Sequence, residues 1–430
     1  MAGGAPVNHP CGGQLSRGEG VSRDEVVARA TLTYLAEPGD GRLARLVTER
    51  GAIGAVRAIR AGWSPDHGEP GTLWDTSDDT RRAAVRRAVD RWRARVADVP
   101  DPVDLAGLRE RGIRVVCPAD AEWPAGLASL SDDQPYALWV RGSVRDLGAA
   151  CQRSVAIVGS RAATAYGGYV AAELAASVAA QGWTVISGGA YGIDGAAHRG
   201  ALAGRGNTIA VMACGVDRPY PAGHKELLDD VAAAGAVISE WPPGRSPTRL
   251  RFLVRNRVIA ALASGTVVIE AGQRSGALNT ARHARDLGRI LMAVPGPVTS
   301  DLSAGCHSII RNWQATLVTS APEVIEGLTG TKPDHADSAS PQGRPAVPDD
   351  VPVARSPRDQ VTADDRQRAA LDGEAAAVLD ALPARGGMST DEIAARAGLH
   401  PRVVLATLAM LRVHGLAERV DGGWRLRRAG

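Results

Sequence analysis

The sequence predicts an α/β protein whose core is an extended Rossmann-like parallel sheet, with a small helical domain before it and a winged helix after it. Three observations support this fold class. Short apolar, β-branched runs alternate with helical segments between residues 151 and 320, as expected of a parallel sheet with right-handed crossovers. Residues 24–99 show helical periodicity alone, and residues 371–430 have the pattern of helices followed by a hairpin.

The predicted core contains six buried strands, because each run is short, apolar and bounded by glycine or polar residues. They cover residues 154–159, 183–187, 208–212, 236–240, 266–270 and 290–294. Helices are expected between them, at about 166–181, 194–204, 224–234, 251–263 and 278–287. The segment 101–150 is expected to pack on the edge of this sheet, so that one domain spans residues 101–330.

The N-terminal part divides into a tail and a helical domain. Residues 1–20 are rich in glycine and polar residues and are expected to be disordered. Residues 21–100 are expected to form a small helical, SAM-like domain that begins with Ser22 as the N-cap. Its arginine-rich helix, residues 80–96, is either a solvated face or an auxiliary phosphate-binding surface, since the spacing places arginines on more than one side.

The C-terminal part divides into a linker and a second folded unit. Residues 331–370 are rich in Pro, Asp and Ser, which is the composition of a flexible linker. Residues 371–430 predict the winged helix, a fold that contacts DNA in some proteins and protein partners in others. Its arginines suit DNA phosphates, although acidic residues nearly cancel their charge: Arg402, Arg412, Arg425, Arg427 and Arg428.

Composition excludes several classes of protein. The chain has 430 residues with 50 Lys and Arg against 47 Asp and Glu, so a basic surface must be local. The five cysteines are odd in number and lack Cys-x-x-Cys spacing, which argues against a disulfide scaffold or a zinc site. Neither a signal peptide nor an apolar run of about 20 residues is present. We therefore expect a cytoplasmic protein without a metal site.

The ligand is expected at the carboxyl ends of the strands, where parallel sheets bind ligands. Three of these ends carry small or basic residues that bring backbone N–H groups close to an anion. The candidate residues are Gly159, Ser160 and Arg161 after the first strand, Ser187, Gly188 and Gly189 after the second, and Ser275, Gly276 and Thr280 near a later helix start. Ser275, Gly276 and Thr280 are equally well explained as helix caps.

The segment 249–257 concentrates cationic and amide groups around Phe252, the only phenylalanine in the chain. Such a cluster suits an anionic ligand with a flat group, because an aromatic ring stacks on bases while cations bind phosphates. The candidates here are Arg251, Phe252, Arg255, Asn256 and Arg257. The alternatives are a core position for the ring and a structural ion pair of Arg161 with Glu240 or Asp194. Asp194, His198 and Asp217 are interpreted as structural polar residues.

With these motifs identified, residues 110–320 resemble the DprA/Smf family of bacterial DNA-processing proteins. The resemblance rests on ordered blocks: 158–161, 187–194 with His198, 214–217, 220–221, 239–242, 252–257, 275–281 and 294–296. It implies an extended Rossmann core that binds single-stranded DNA, forms a homodimer and passes the strand to the RecA recombinase in natural transformation. It implies no catalytic residue and no cofactor.

Two positions depart from the family pattern. Leu253 replaces a proline in the Phe-Pro-x-Arg-Asn-Arg block, and the late block contains His307 where the family pattern has Asn. Two other classes of function stay open. One is a nucleotide phosphoribohydrolase of the "lonely guy" type, although residues 270–276 lack its Pro-Gly-Gly-x-Gly-Thr loop and keep only the carboxylate of Glu270. The other is a protein-binding adaptor whose basic loop contacts an acidic partner.

Overall fold

The computed structural model describes residues 21–63, 79–101 and 103–330 of the chain. It also describes residues 378–427 except 380, 384–386, 398–400 and 414–415. The expected N-terminal tail, the expected linker and Arg428 lie outside the described residues.

The core is a nine-stranded sheet in the order β1-β2-β6-β5-β4-β3-β7-β8-β9. In this spatial order, all neighbouring strands from β6 through β9 are parallel. β2 pairs with β6 and β1 pairs with β2, and both of these pairs are antiparallel. This confirms the predicted Rossmann-like sheet and the edge position of the segment before it. The strands are β1 Ile113–Val116, β2 Leu138–Gly142, β3 Ser154–Val158, β4 Thr184–Ser187, β5 Thr208–Met212, β6 Ala236–Ser239, β7 Gly265–Val268, β8 Ile290–Ala293 and β9 Thr316–Leu317.

Helices cover both faces of the sheet, because each helix has an apolar side that is buried only against the strands. One face packs against α6, α7 and α12, and the other against α5, α9, α10 and α11. The helices of this domain are α4 Leu105–Glu110, α5 Leu147–Gln152, α6 Ala165–Ala180, α7 Ile193–Ala203, α8 Lys225–Ala234, α9 Arg249–Leu262, α10 Gly276–Asp286, α11 Ala304–Trp313 and α12 Ala321–Thr329.

The N-terminal helices α1 Arg23–Leu35, α2 Gly41–Arg60 and α3 Asp79–Ala94 share one buried cluster with α8 and the β6 edge of the sheet. Ser22 caps α1 as predicted, since its hydroxyl accepts the N–H of Glu25 at 3.2 Å. Polar contacts cross between the two units: Trp139 Nε1 donates to Thr33 Oγ1 at 3.2 Å, and the Tyr136 hydroxyl donates to Asp40 O at 3.1 Å. The helical unit is therefore fixed on the sheet.

Glu37, just after α1, forms the densest polar contact between the two units. Its carboxylate accepts two bonds from Arg251 of α9, at 3.0 and 2.6 Å, and one from Trp241 Nε1 at 2.9 Å. Burial alone raises the pKa of this carboxyl, but the bonds from Arg251 and Trp241 outweigh it and hold the pKa below its usual value. Glu37 thereby joins the helical unit to the start of α9.

The C-terminal unit is the predicted winged helix. It contains α13 Thr390–Ala397, α14 Pro401–Val413 and the hairpin β10 Ala417–Val420 with β11 Gly423–Leu426. It has a buried cluster of its own, which includes Ile393, Leu408 and Trp424. Among the helices of the described ranges, none combines the length and apolar character needed to cross a membrane.

The buried histidine His198 on α7 makes folding sensitive to acid. Its Nδ1 lies 2.8 Å from Thr208 Oγ1, whose own proton is donated to Val185 O, so Nδ1 donates to that hydroxyl. Burial lowers the pKa of His198 from 6.5 to about 3. The unfolded chain therefore binds this proton below pH 6.5 while the folded chain does not, and stability falls as the pH drops from 6.5 towards 3.

We predict that His198→Asn reduces the pH dependence of unfolding. Between pH 6 and pH 4, the free energy of unfolding of the unsubstituted protein should fall more steeply than that of the variant, by up to about 1.4 kcal/mol per pH unit. Urea unfolding at several pH values measures both slopes, and other titrating groups cancel in the difference. Equal slopes would show that His198 is accessible to protons in the folded protein.

Candidate nucleic-acid interface

A concave site lies at the carboxyl ends of the central strands, where the sequence predicted the ligand. It is a groove of about 590 Å³ between the residues that follow β3 and β5, the segment leading into α9, and the loop between β7 and α10. Predicted residues that line it are Gly159, Arg161, Phe252, Arg255, Asn256, Ser275, Gly276 and Thr280. Gly159 is required there because a Cβ atom would lie 2.5 Å from Ile193 Cγ1.

Phe252 lies on the first turn of α9, which Thr248 caps by accepting the N–H of Arg251 at 3.4 Å. The ring is half-buried at the groove wall and does not occupy the core. The guanidinium of exposed Arg161 covers it at 4.7 Å from the centroid, and the ring of Tyr220 packs beside it at 5.4 Å. The ring and an exposed cation thus face the same space, an arrangement that suits a nucleotide ligand.

Arg255 lines the groove from below, but its donors are used within the protein. It is 4% exposed, donates to Gly188 O at 2.9 Å, and also donates to Val211 O. A Cβ on Gly188 would lie 2.5 Å from Arg255 Nη2, so the glycine makes room for the guanidinium. Burial lowers the pKa of Arg255 to about 10, and the residue stays charged at neutral pH.

Asp194 balances the charge of Arg255 at the base of the groove. Burial raises the pKa of its carboxyl, while Arg255 and, more weakly, Arg161 oppose that shift. The Asp217 carboxylate, at the groove wall, accepts the N–H of Gly244 at 2.9 and 3.0 Å. Both carboxylates are thus held by neighbouring groups, as expected of structural residues.

The structure places Arg257 and Arg251 away from the groove lining. Arg257 is 5% exposed and forms a bidentate pair with buried Glu240, at 2.6 and 2.7 Å, with a further bond to Asp133 O at 2.8 Å. Burial alone lowers the pKa of Arg257, but the Glu240 carboxylate outweighs it and raises that pKa. Arg251 is held by Glu37. Glu240 therefore pairs with Arg257 and not with Arg161, as one alternative had it, and Arg161 covers the ring of Phe252.

The other predicted residues form the hydrogen bonds and the turn that fix the chain around the groove. Ser187 is buried and donates to Ile157 O at 2.7 Å, and Gly189 has a positive φ of 70° that lets the chain turn after β4. Ser160 donates its N–H to Glu270 O at 2.7 Å. Ser275 caps α10, as the alternative explanation had it, by accepting the N–H of Ala277 at 3.2 Å. Asn256 Nδ2 donates to Gly276 O at 3.3 Å and to Asn279 Oδ1 at 3.1 Å.

Several groove residues were missing from the predicted set. Arg218, Arg249 and Arg274 are exposed and line the groove together with Arg161, and Arg396 of the winged helix also contributes to the lining. The first three could have been found, because each follows a predicted strand or opens the basic segment. Exposed guanidiniums beside a half-buried ring suit a polyanion that carries flat groups.

Comparison with known proteins supports one family throughout the chain. Residues 114–329 match the family described as DNA recombination-mediator protein A, and residues 362–423 match the DprA winged helix domain. The putative DNA processing protein DprA of Mycobacterium tuberculosis is 44% identical over 415 residues, covering 94% of this chain and 95% of that protein. Protein Smf of Escherichia coli is 35% identical over 317 residues, covering 73% and 77%.

A solved structure extends the match to the fold. The X-ray structure of DprA from Streptococcus pneumoniae aligns with a TM-score of 0.55 and 28% identity, covering 71% of this chain and 98% of that one.

We predict that Glu240→Ala destabilises the protein strongly, because it leaves the Arg257 guanidinium buried without its counter-ion. The free energy of unfolding should fall by about 3–5 kcal/mol in urea titrations. Removing Asp286, which pairs with Arg285 at the surface, is the matched control and should cost less than about 1 kcal/mol. The double variant Glu240→Leu, Arg257→Met should recover much of the loss; an equal cost for Glu240→Ala and Asp286→Ala would contradict the buried pair.

Proposed function

This chain belongs to the DNA recombination-mediator protein A family, which includes DprA and Smf proteins, and on that premise we propose that it binds single-stranded DNA in the groove without cutting it. The observation that carries the proposal is the position of Phe252. The ring is half-buried at the groove wall beneath Arg161, at 4.7 Å. A base can stack there when the guanidinium moves to a phosphate.

Single strands suit this site better than a duplex. In a duplex the base faces are stacked on one another, so Phe252 could reach a base only after unstacking, which costs a few kcal/mol. An unpaired strand offers its base faces and phosphates at once. Stacking on an aromatic side chain contributes about 1–3 kcal/mol per base.

The proposed contacts form a smaller set than the sequence predicted. Arg161, Arg218, Arg249 and Arg274 bind phosphates, Phe252 stacks on a base, and Asn256 and Gly276 contribute polar groups at the groove wall. Arg255 supports this surface from beneath it. Arg251 and Arg257 are omitted, because their guanidiniums are bonded to Glu37 and Glu240.

Glu270 supports binding over hydrolysis. This carboxylate would be the candidate catalytic group of a phosphoribohydrolase, but it is only 3% exposed. Its two oxygens accept the N–H and the hydroxyl of Thr164 at 2.9 and 2.5 Å, at the start of α6. A carboxylate used in this way stabilises the helix start and is poorly placed to act on a nucleotide.

Family membership further supports a place in recombination. We propose that the protein protects incoming single strands in natural transformation, acts as a homodimer, and loads RecA on the strand it holds. In this scheme the protein transfers the bound DNA strand to RecA and does not cleave it.

We predict that the protein binds oligothymidylate more tightly than a duplex of equal length, and that the affinity falls steeply with salt. Phe252→Ala should weaken binding by about 1–3 kcal/mol. Arg161→Ala should reduce the slope of log K against log salt by about 0.7, as expected for one lost phosphate contact. Fluorescence anisotropy measures both. Arg145→Ala is the matched control. Arg145 is exposed and lies beside Arg153, which precedes β3 at the amino end of that strand, opposite the groove.

Equal affinity for duplex and single strand would contradict the proposal, as would unchanged binding by the Phe252→Ala, Arg161→Ala double variant. Release of a free base from nucleoside monophosphates would favour the phosphoribohydrolase alternative. Binding of an acidic protein in the absence of any DNA affinity would favour the adaptor.

We predict that the protein accelerates RecA filament formation on single strands already coated with single-strand binding protein. The Arg161→Ala, Phe252→Ala variant should lose this effect together with DNA binding. RecA-dependent ATP hydrolysis measures filament formation. Tight single-strand binding without acceleration would exclude the loading step and leave the binding proposal intact.

A further inference from the structure

Two tyrosines on the first turns of α6 are unusually exposed for this protein. Aromatic residues make up only 4% of the chain. Within the ranges that the structure describes, Tyr166 and Tyr169 are the aromatic side chains classed as exposed, at 44% and 70%. A single exposed apolar residue is ordinary, but here both lie on the helix that follows the groove residue Arg161 along the chain.

The two rings share one face of α6. Residues three apart on a helix are neighbours, with Cβ atoms about 5–6 Å apart. Tyr166 is also fixed in direction, because its hydroxyl donates to Pro295 O at 2.8 Å, in the segment after β8. The pair therefore forms a partly ordered aromatic surface at the carboxyl edge of the sheet.

A short exposed segment of the chain links this surface to the groove. Arg161, which lines the groove, lies four residues before the start of α6 at Ala165, and the intervening residues 162–164 are at least partly exposed. The nearest carboxylate in the sequence beyond the tyrosines is exposed Glu173, one turn further along α6. Glu270, which lies beneath the start of the helix, is buried and bonded to Thr164. No exposed acidic side chain of α6 thus stands between Arg161 and the tyrosines.

We propose that Tyr166 and Tyr169 form a second stacking platform for the same single-stranded DNA. The DNA reaches this platform when it leaves the groove past Arg161 and passes the carboxyl end of β3. The inference rests on the proposed function, since it extends the same binding site. The occupant is unpaired nucleic acid, because this turn of α6 follows the cationic groove along the chain and presents two flat rings with no exposed carboxylate of α6 between them and Arg161. Each stacked base adds affinity with little dependence on sequence.

The platform predicts a specific dependence on DNA length. Short oligomers fill the groove alone, and longer ones also reach the tyrosines. Affinity should therefore rise in a second step as the length of oligothymidylate increases from about 4 to about 16 nucleotides. This second rise in affinity depends on the tyrosines of α6, so substitutions there should remove it without changing binding in the groove.

The test uses the full chain and the double variant Tyr166→Ala, Tyr169→Ala. The variant should bind the longest oligomers about tenfold or more weakly, while its affinity for the shortest ones stays within about twofold. The double variant Tyr166→Phe, Tyr169→Phe keeps both rings and should restore the second step, even though it loses the bond to Pro295. Unchanged short-oligomer affinity is the internal control for folding, supported by thermal unfolding.

The outcomes separate this inference from the proposed function. If the unsubstituted protein binds no single strand, the proposed function fails. If it binds and Arg161→Ala weakens it, but the alanine pair has equal affinity at every length, the platform alone is overturned. If the alanine pair changes the sedimentation mass and leaves DNA affinity unchanged at all lengths, the surface is a protein interface and the platform is likewise overturned.

Discussion

Two buried guanidiniums on α9 hold the site together. Arg255 donates to carbonyls at the ends of β4 and β5, and Arg257 pairs with Glu240 at the end of β6. Each guanidinium donates hydrogen bonds to several buried oxygen atoms. Leaving such an atom without a donor would cost about 1–3 kcal/mol. With both sides of the helix bound in this way, its first turn can present Phe252 at the groove wall.

This arrangement divides the arginines into two classes with different tasks. The buried ones fix α9, and their charges are balanced by Asp194 and Glu240. The exposed ones, Arg161 and Arg274 among them, keep their charge available to a ligand. The nearly neutral chain thereby concentrates positive potential in one concave place, where it attracts polyanions without making the whole surface basic.

Sequence reasoning located the groove but could not assign the arginines to these classes. Strand ends are visible as apolar runs that stop at glycine or basic residues, and this was enough to place Gly159 and Arg161. Phe252 was placed by the cationic residues that surround the only phenylalanine of the chain. Arg251 and Arg257 look identical to ligand-binding arginines because their partners are distant in sequence: Glu37 lies 214 residues from Arg251, and Glu240 lies 17 from Arg257. Only the tertiary fold brings these carboxylates into contact. The helical domain therefore affects the site through Glu37, which no local pattern predicts.

The position of Arg161 above Phe252 makes ligand selection conditional on two chemical groups together. The ring already has a favourable partner in Arg161, worth about 0.5–1 kcal/mol at an exposed site. A free nucleobase that stacks on Phe252 must displace the Arg161 guanidinium and offers it no anion in return. An isolated phosphate can bind the guanidinium but leaves the Phe252 ring exposed to water. In the proposed binding mode a polynucleotide compensates for both losses at once. A site of this kind would therefore discriminate against small molecules that carry only a base or only a phosphate.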